Sequence, residues 1–170
     1  MQTTIHIRPD DLSGDATRRL IAQHLAGMHA TSPPESVHAL DLDALTDASI
    51  SFWSAWAARR QDGDVAQNPR EPVEELAGIG ALKTIDGARG ELKSMRVDDR
   101  FLGAGVGRAL LRHIVAVARA RGMTSLWLET GSTAEFVPAQ RLYASEGFVE
   151  CGPFEGYAPD PFSVFMTRAI

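Results

Sequence analysis

A mixed α/β fold of α+β layout is predicted for this chain, built on a central, mostly antiparallel sheet of about six or seven strands with helices on both faces. Three observations predict it. Short stretches of alternating apolar and polar residues recur along the chain, each bounded by turn residues. Two of them meet at Asp86-Gly87, a hairpin signal that makes them antiparallel neighbours. Another two are separated by one glycine-led helix, and strand–helix–strand implies a parallel pair with a right-handed crossover.

Bulk properties narrow the function. At 170 residues the chain fits one domain, 1–170, large enough for its own core. Apolar content of 44% and charged content of 23% are those of a globular protein. A net charge of −5 without a basic stripe argues against a nucleic-acid partner. Cys151 is the one cysteine, which excludes an internal disulfide and a cysteine-based zinc site. His24 and His29 have no partner at metal-binding spacing, so no metal is expected. No apolar run reaches membrane-spanning length and no basic-then-apolar leader opens the chain, so the expectation is a cytoplasmic protein with no membrane partner.

Taken in order, residues 3–8 alternate Ile5 and Ile7 with Thr4, His6 and Arg8, a strand closed by Pro9. Asp10, Asp11 and Ser13 offer capping oxygens to a helix carrying Leu20, Ile21, Leu25 and Met28 at helical spacing. Pro33-Pro34 ends it. Residues 35–45 read as a second, shorter helix or helical turn bearing Glu35, His38, Asp41 and Asp43. Residues 50–57 are an aromatic-rich strand, a helix through 55–60 being the alternative. The polar stretch 59–75, with Gly63, Pro69 and Pro72, is expected to be a flexible loop. Residues 76–85 form the next strand, whose two glycines indicate a bulge or a close backbone approach. In the strand 91–97, simple alternation sets Leu92, Ser94 and Arg96 on one face and Glu91, Lys93, Met95 and Val97 on the other.

Asp98, Asp99 and Arg100 break that pattern, and Gly103, Gly105 and Gly107 lead into a helix with Val106, Leu110, Ile114 and Val117 on one stripe. Arg119, Arg121 and Gly122 end it. Residues 125–130 are a strand, Pro138 and Gly147 bracket a further helix, 148–151 are a strand, 152–162 a loop and 163–167 the last strand.

The glycine loop is the stretch with chemistry in it. Glycines let backbone N–H groups turn toward a ligand, and a helix N-terminus adds partial positive charge, so a phosphate or pyrophosphate fits. Arg108 and Arg112 stand at the same end. A kinase-type P-loop is excluded, because Gly107 is followed by Arg108 and Ala109. A dinucleotide loop is disfavoured: counting from Gly103, Arg108 stands where its last glycine belongs, and five residues separate strand from loop. Glu129, ending a later strand, keeps that alternative open as an imitation of the ribose-binding acid.

Arg100-Phe101-Leu102-Gly103-Ala104-Gly105 resembles the acetyl-CoA signature Gln/Arg-x-x-Gly-x-Gly/Ala of the GNAT superfamily of N-acetyltransferases. Ala139-x-x-Leu142-Tyr143-x-x-x-Gly147-Phe148 resembles that family's second signature, and the element order matches along nearly the whole chain. Two stretches, SPPESVHALDLD and ETG…CGPF…Y…DPFSVFM, are similar to a bacterial small-molecule subgroup that includes proteins suggested to act on indole-acetate metabolism. One departure is Phe136, where many relatives carry asparagine, so contacts attributed to that asparagine are not carried over.

The resemblance implies acetyl transfer from acetyl-CoA, as cosubstrate, to the primary amine of a small molecule, with the parallel strands splayed at the cofactor site. It implies that N–H groups of Leu102, Gly103, Ala104, Gly105, Val106, Gly107 and Arg108 meet the pyrophosphate, with Arg100 opening the signature. Strand residues Met95, Arg96 and Val97 would pair with the pantetheine arm. Tyr143 would protonate the departing thiolate or hydrogen-bond its sulfur. Glu91 is the candidate base, Glu129 its competitor, and Tyr157 and His38 could reach the acceptor pocket from loops. A non-catalytic acyl-CoA-binding module of the same fold is the alternative. Exposed strand edges leave room for a homodimer.

Overall fold

A computed structural model describes residues 3–59 and 73–170. Strands β1 (Thr4–Pro9), β2 (Ile50–Arg59), β3 (Val73–Thr84), β4 (Arg89–Val97), β5 (Ser125–Gly131), β6 (Val149–Cys151) and β7 (Ser163–Ala169) form one seven-stranded sheet. Their order is β1-β2-β3-β4-β5-β7-β6, antiparallel except for the β4–β5 pair. Helix α1 (Asp15–Thr31) covers one face, and α2 (Val106–Ala120) with α3 (Val137–Ser145) covers the other. Among the described residues no helix is long and apolar enough to cross a membrane.

The core divides accordingly. Leu20 and Ile21 of α1 pack with Leu12, Leu45, Phe52, Ile79 and Ala81. The opposite face is larger: Val106, Leu110, Leu111, Ile114, Val115 and Ala118 form one buried stripe of α2 against Ala55, Leu82, Leu92, Leu126 and Leu128. Each fully buried aliphatic side chain on that stripe contributes about 1.5–3 kcal/mol of transfer free energy.

One expectation is narrowed and another corrected. Of the two readings of residues 35–45 the helical turn holds and the full helix does not: the segment is irregular, with short 3-10 turns at Pro34–Ser36 and Ala44–Thr46. Side chains there bond elsewhere: Ser36 Oγ donates to Asp160 across the fold at 2.6 Å, and Asp41 Oδ1 accepts the Ala44 N–H at 2.9 Å. Such bonds replace a helical ladder. The expected loop 59–75 begins and ends later and earlier than its polarity indicates, since Arg59 belongs to β2 and Val73 already opens β3; residues 60–72 lie outside the described residues.

The strand 91–97 also departs from simple alternation. Ile79 pairs with Arg96 and Ala81 with Lys93, so Gly80 alone opposes Ser94 and Met95. This is a β-bulge, and Ser94 takes a left-handed φ of 54°. One extra residue inverts every later side chain. Met95 and Val97 therefore join Leu92 on the α2 face, while Arg96 joins Glu91 and Lys93 on the α1 face. Gly80 makes room for the inversion, since a Cβ there would lie 2.7 Å from Met95 Sδ.

Candidate active site

The glycine loop begins with a tight cap. Asp98 Oδ1 accepts the Arg100 N–H at 3.0 Å and starts the 3-10 turn Asp99–Phe101. Gly103 and Gly105 then take φ of +78° and +83°, left-handed values that favour glycine, and Gly105 caps α2. Ala109 N–H is the first to reach a helical carbonyl, that of Gly105 at 3.0 Å, which leaves Val106, Gly107 and Arg108 with first-turn N–H groups free of intrahelical acceptors. A Cβ at Gly103 or Gly105 would meet no atom of the described residues within 4 Å, so among these the space over the cradle is open. This arrangement fits an anionic phosphate. Ala104 fits it less well than the sequence implies, because its N–H is already given to Phe101 O at 3.1 Å.

The arginines around the loop are tethered. Arg100 bonds Asp98 and Glu75, the latter at 2.9 Å. Arg108 bonds Ser145 and Glu146, and Arg112 bonds Glu146 with two nitrogens at 3.0 Å. These guanidiniums lower the Glu146 carboxyl from its ordinary value, led by the Arg112 hydrogen bond. One carboxylate shared by two arginines ties α2 to the end of α3 and leaves a positive balance beside the cradle.

Ahead of the loop the sheet opens. β4 and β5 are paired only from Arg89↔Ser125 to Leu92↔Leu128, although β4 continues to Val97 and β5 to Gly131. Among the described residues, the β5-facing edge of β4 beyond Leu92 thus has no strand partner. Met95, Arg96 and Val97 lie on it, so their backbone is placed to pair with an extended ligand.

On the α1 face of that gap a buried polar network assembles. Glu91 is 3% exposed. It accepts the Tyr157 hydroxyl at 2.5 Å and the Lys93 ammonium at 3.3 Å. Lys93 Nζ also donates to Tyr157 Oη at 2.9 Å and to the His38 carbonyl at 3.1 Å. The His38 ring meets Tyr157 edge-on with centroids 4.9 Å apart, and Phe154 and Phe165 enclose the same phenol. Burial, then the Glu91 charge, pushes the Tyr157 pKa far up. A cleft of about 300 Å³ reaches Glu91 and Tyr157 from the β3–β4 hairpin side. Glu129 lies just past the last paired residue of β5, and burial pushes its carboxyl up, opposed by Ser163, His38 and Lys93. His24 of α1 stays uncharged, its pKa lowered to about 4 by burial and by the charges of Arg96 and Lys93.

Tyr143 stands on the opposite face, in the α2 core, with its ring 5.8 Å from Phe148. Burial pushes its phenol far up and no hydrogen bond contributes to the shift. Phe136 covers the end of β5: a Cβ on Gly131 would fall 2.2 Å from its ring. The structure therefore brings Glu91, Glu129, Tyr157 and His38 together and separates Tyr143 from them by the sheet. Lys93 was not singled out from the sequence. Its signal was available: a lysine two residues from Glu91 on the same strand face, which burial obliges to find partners.

Comparison with known proteins agrees with this geometry. A model described as the acetyltransferase (GNAT) family matches residues 27–148. Over 166 residues the chain is 47% identical to YsnE of Bacillus subtilis, an uncharacterized N-acetyltransferase, covering 98% of this chain and 100% of the relative. It is 44% identical to the uncharacterized N-acetyltransferase YedL of Escherichia coli, with 96% and 94% covered. It is 36% identical to an IAA acetyltransferase of Azospirillum brasilense, with 92% of both covered. Among solved structures, a candidate acyl-CoA N-acyltransferase of Klebsiella pneumoniae superposes with a TM-score of 0.73 at 26% identity, covering 98% and 97%. The fold also matches an Elizabethkingia anophelis acetyltransferase with acetyl-CoA bound, TM-score 0.57 at 17% identity, covering 98% of each chain.

Proposed function

The chain belongs to the GNAT family of acetyltransferases, and on that premise we propose that it transfers the acetyl group of acetyl-CoA to the primary amine of a small molecule. The observation that carries the reading is the opening of β4 from β5 beyond Leu92, with a buried carboxylate on one side and the free N–H cradle directly after it. In this reading the chain acts as a single cytoplasmic domain. Pairing of two copies would use the sheet edges β1 or β6, which sedimentation at micromolar concentration tests.

The residues divide the work. Gly103, Gly105, Val106, Gly107 and Arg108 hold the pyrophosphate through backbone N–H groups. The unpaired edge from Met95 to Val97 aligns the pantetheine arm and turns an N–H near Val97 toward the thioester oxygen, where negative charge develops. The acceptor amine approaches from the α1 face. Its nitrogen bonds to the carbonyl carbon as the carbon–sulfur bond breaks, and the proton it gives up passes to a carboxylate. Glu129 suits that role, because burial raises it toward neutrality while Glu91 is already held by Lys93 and Tyr157. The base works only when ionised, so activity falls as pH drops through its raised pKa. Glu129→Gln is expected to remove that acid limb from the profile of kcat/KM against pH and to lower kcat about a hundredfold. An unchanged limb would take Glu129 out of the role.

Tyr143 serves the sulfur. A phenol pushed far above its usual pKa is a poor acid for a thiol near 8.5, so it stabilises the thiolate by donating a hydrogen bond, and solvent completes protonation. Tyr143→Phe is expected to lower kcat about tenfold while acetyl-CoA affinity stays within about twofold, read by steady-state kinetics and calorimetry. Equal turnover in the two proteins would remove Tyr143 from the site.

The function itself is tested by thermal shift with acetyl-CoA, CoA and NAD, followed by thiol release over an amine panel. Stabilisation by NAD and not by CoA contradicts the reading. Stabilisation by CoA with no turnover of any amine favours a non-catalytic acyl-CoA-binding module, to which the fully engaged Glu91 lends some support.

A further inference from the structure

We propose that Arg96 forms a carboxylate-binding end of the acceptor pocket, so that the acceptor is an amine carrying a carboxylate, as an amino acid does; this rests on the amine-acetylating reading above. The bulge at Ser94 turns Arg96 onto the face of Glu91 and Lys93. Its Nη1 lies against α1, where a Cβ on Gly27 would be 3.4 Å away, and its charge reaches His24. On that face the guanidinium is under-used. Nε is covered yet has no hydrogen-bond partner among the described residues. Nη2 has Asp99 Oδ1 at 3.4 Å, a long contact to a carboxylate whose side chain is 79% exposed.

A covered N–H without an acceptor is costly, and in native structures such a group commonly signals a partner that completes it. Nε and Nη2 share one edge of the guanidinium plane. That edge presents two parallel donors, the pattern a carboxylate takes with both oxygens. The contact to exposed Asp99 is the one such a ligand displaces at little cost.

The neighbouring charges point the same way. Lys93 is satisfied by Glu91, Tyr157 and the His38 carbonyl. Arg100 holds Asp98 and Glu75, and Arg108 and Arg112 share Glu146. His24 is held uncharged beside Arg96, so it does not compete for an anion. Asp160 accepts hydrogen bonds from Ser36 and from the Phe162 N–H. Along the α1 face of the gap, Glu129 and Glu91 stand toward the paired end of β4 and Arg96 toward the far end. Five residues of strand, roughly 16 Å of backbone, part Glu91 from Arg96, so an ammonium toward the first and a carboxylate at the second match a zwitterionic acceptor whose two charges stand several bonds apart.

The test uses matched acceptors, each amino acid with its carboxamide and its decarboxylated amine, on the wild type, Arg96→Gln and Arg96→Lys. Wild-type kcat/KM is expected to favour the carboxylate member by about tenfold to a hundredfold, carried by KM. Arg96→Gln abolishes that preference and Arg96→Lys restores part of it. Calorimetric titration of the same compounds onto the CoA-bound protein reads the site without turnover, and thermal stabilisation by CoA shows that each variant is folded. No preference in the wild type, or an equal loss on both members in Arg96→Gln, overturns the inference while acetylation of neutral amines upholds the enzyme. Carboxylate-bearing amines that bind through Arg96 without being acetylated uphold the inference and overturn the transferase reading.

Discussion

Glu91→Gln is expected to lower turnover at least about a hundredfold and to destabilise the protein by about 3–5 kcal/mol, the cost of leaving a buried charge without its partner. The Lys93 and Glu91 side chains are only 9% and 5% exposed, so water cannot take over either charge. Glutamine keeps the shape and can still accept the Tyr157 hydroxyl, but it removes the anion that compensates Lys93. The activity loss follows from the same event. Lys93 also holds the His38 carbonyl and Tyr157, so its displacement loosens the wall against which the proposed acceptor would sit. A second substitution separates the causes: adding Lys93→Met to Glu91→Gln should recover most of the stability, because a pair replaced by neutral groups leaves no orphaned charge. Denaturant unfolding of the three variants measures this. A double variant no more stable than the single one would show that the pair is not the source of the effect.

Gly105→Val is expected to weaken acetyl-CoA binding about a hundredfold, through two contributions that a control can divide. A β-branched residue at a φ of +83° is strained, by about 1–3 kcal/mol, and its side chain projects into the open space above the cradle. Gly122 is the control. It ends α2 at the same φ of +83°, with equally open surroundings, at the opposite end of the helix from the cradle. Gly122→Val should therefore lose comparable stability and keep its acetyl-CoA affinity. Calorimetry and thermal unfolding on both variants give the comparison. Normal affinity in Gly105→Val would place the cofactor elsewhere.

Much of this was legible in the residues. The strands β1 to β7 follow from alternation and turn chemistry, and the hairpin at Asp86-Gly87 and the crossover through α2 fix how β3, β4 and β5 lie together. Local rules fail where non-local contacts decide. The bulge opposite Gly80 seats Met95 where a side chain on that residue would stand, which no periodicity in β4 alone records, and it moved Arg96 to the other face. The segment 35–45 has helical spacing, yet its polar side chains find better partners in Asp160 and in its own backbone. The Glu91–Lys93–Tyr157 network joins residues 64 and 66 positions apart, so the sequence offers each member but not their meeting.

Among the described residues the gap between β4 and β5 makes the sheet a partition with a doorway beside the cradle. Glu91, Glu129 and Arg96 stand in one room, and Tyr143 in the other. In the proposed reaction each reactant would be admitted from its own side and meet the other at the sill, so that the departing sulfur and the incoming nitrogen would not compete for the same groups. Changes to the loops carrying His38 and Tyr157 would leave the other room's furniture in place. On that reading, one cofactor chamber would serve different acceptors wherever those loops differ.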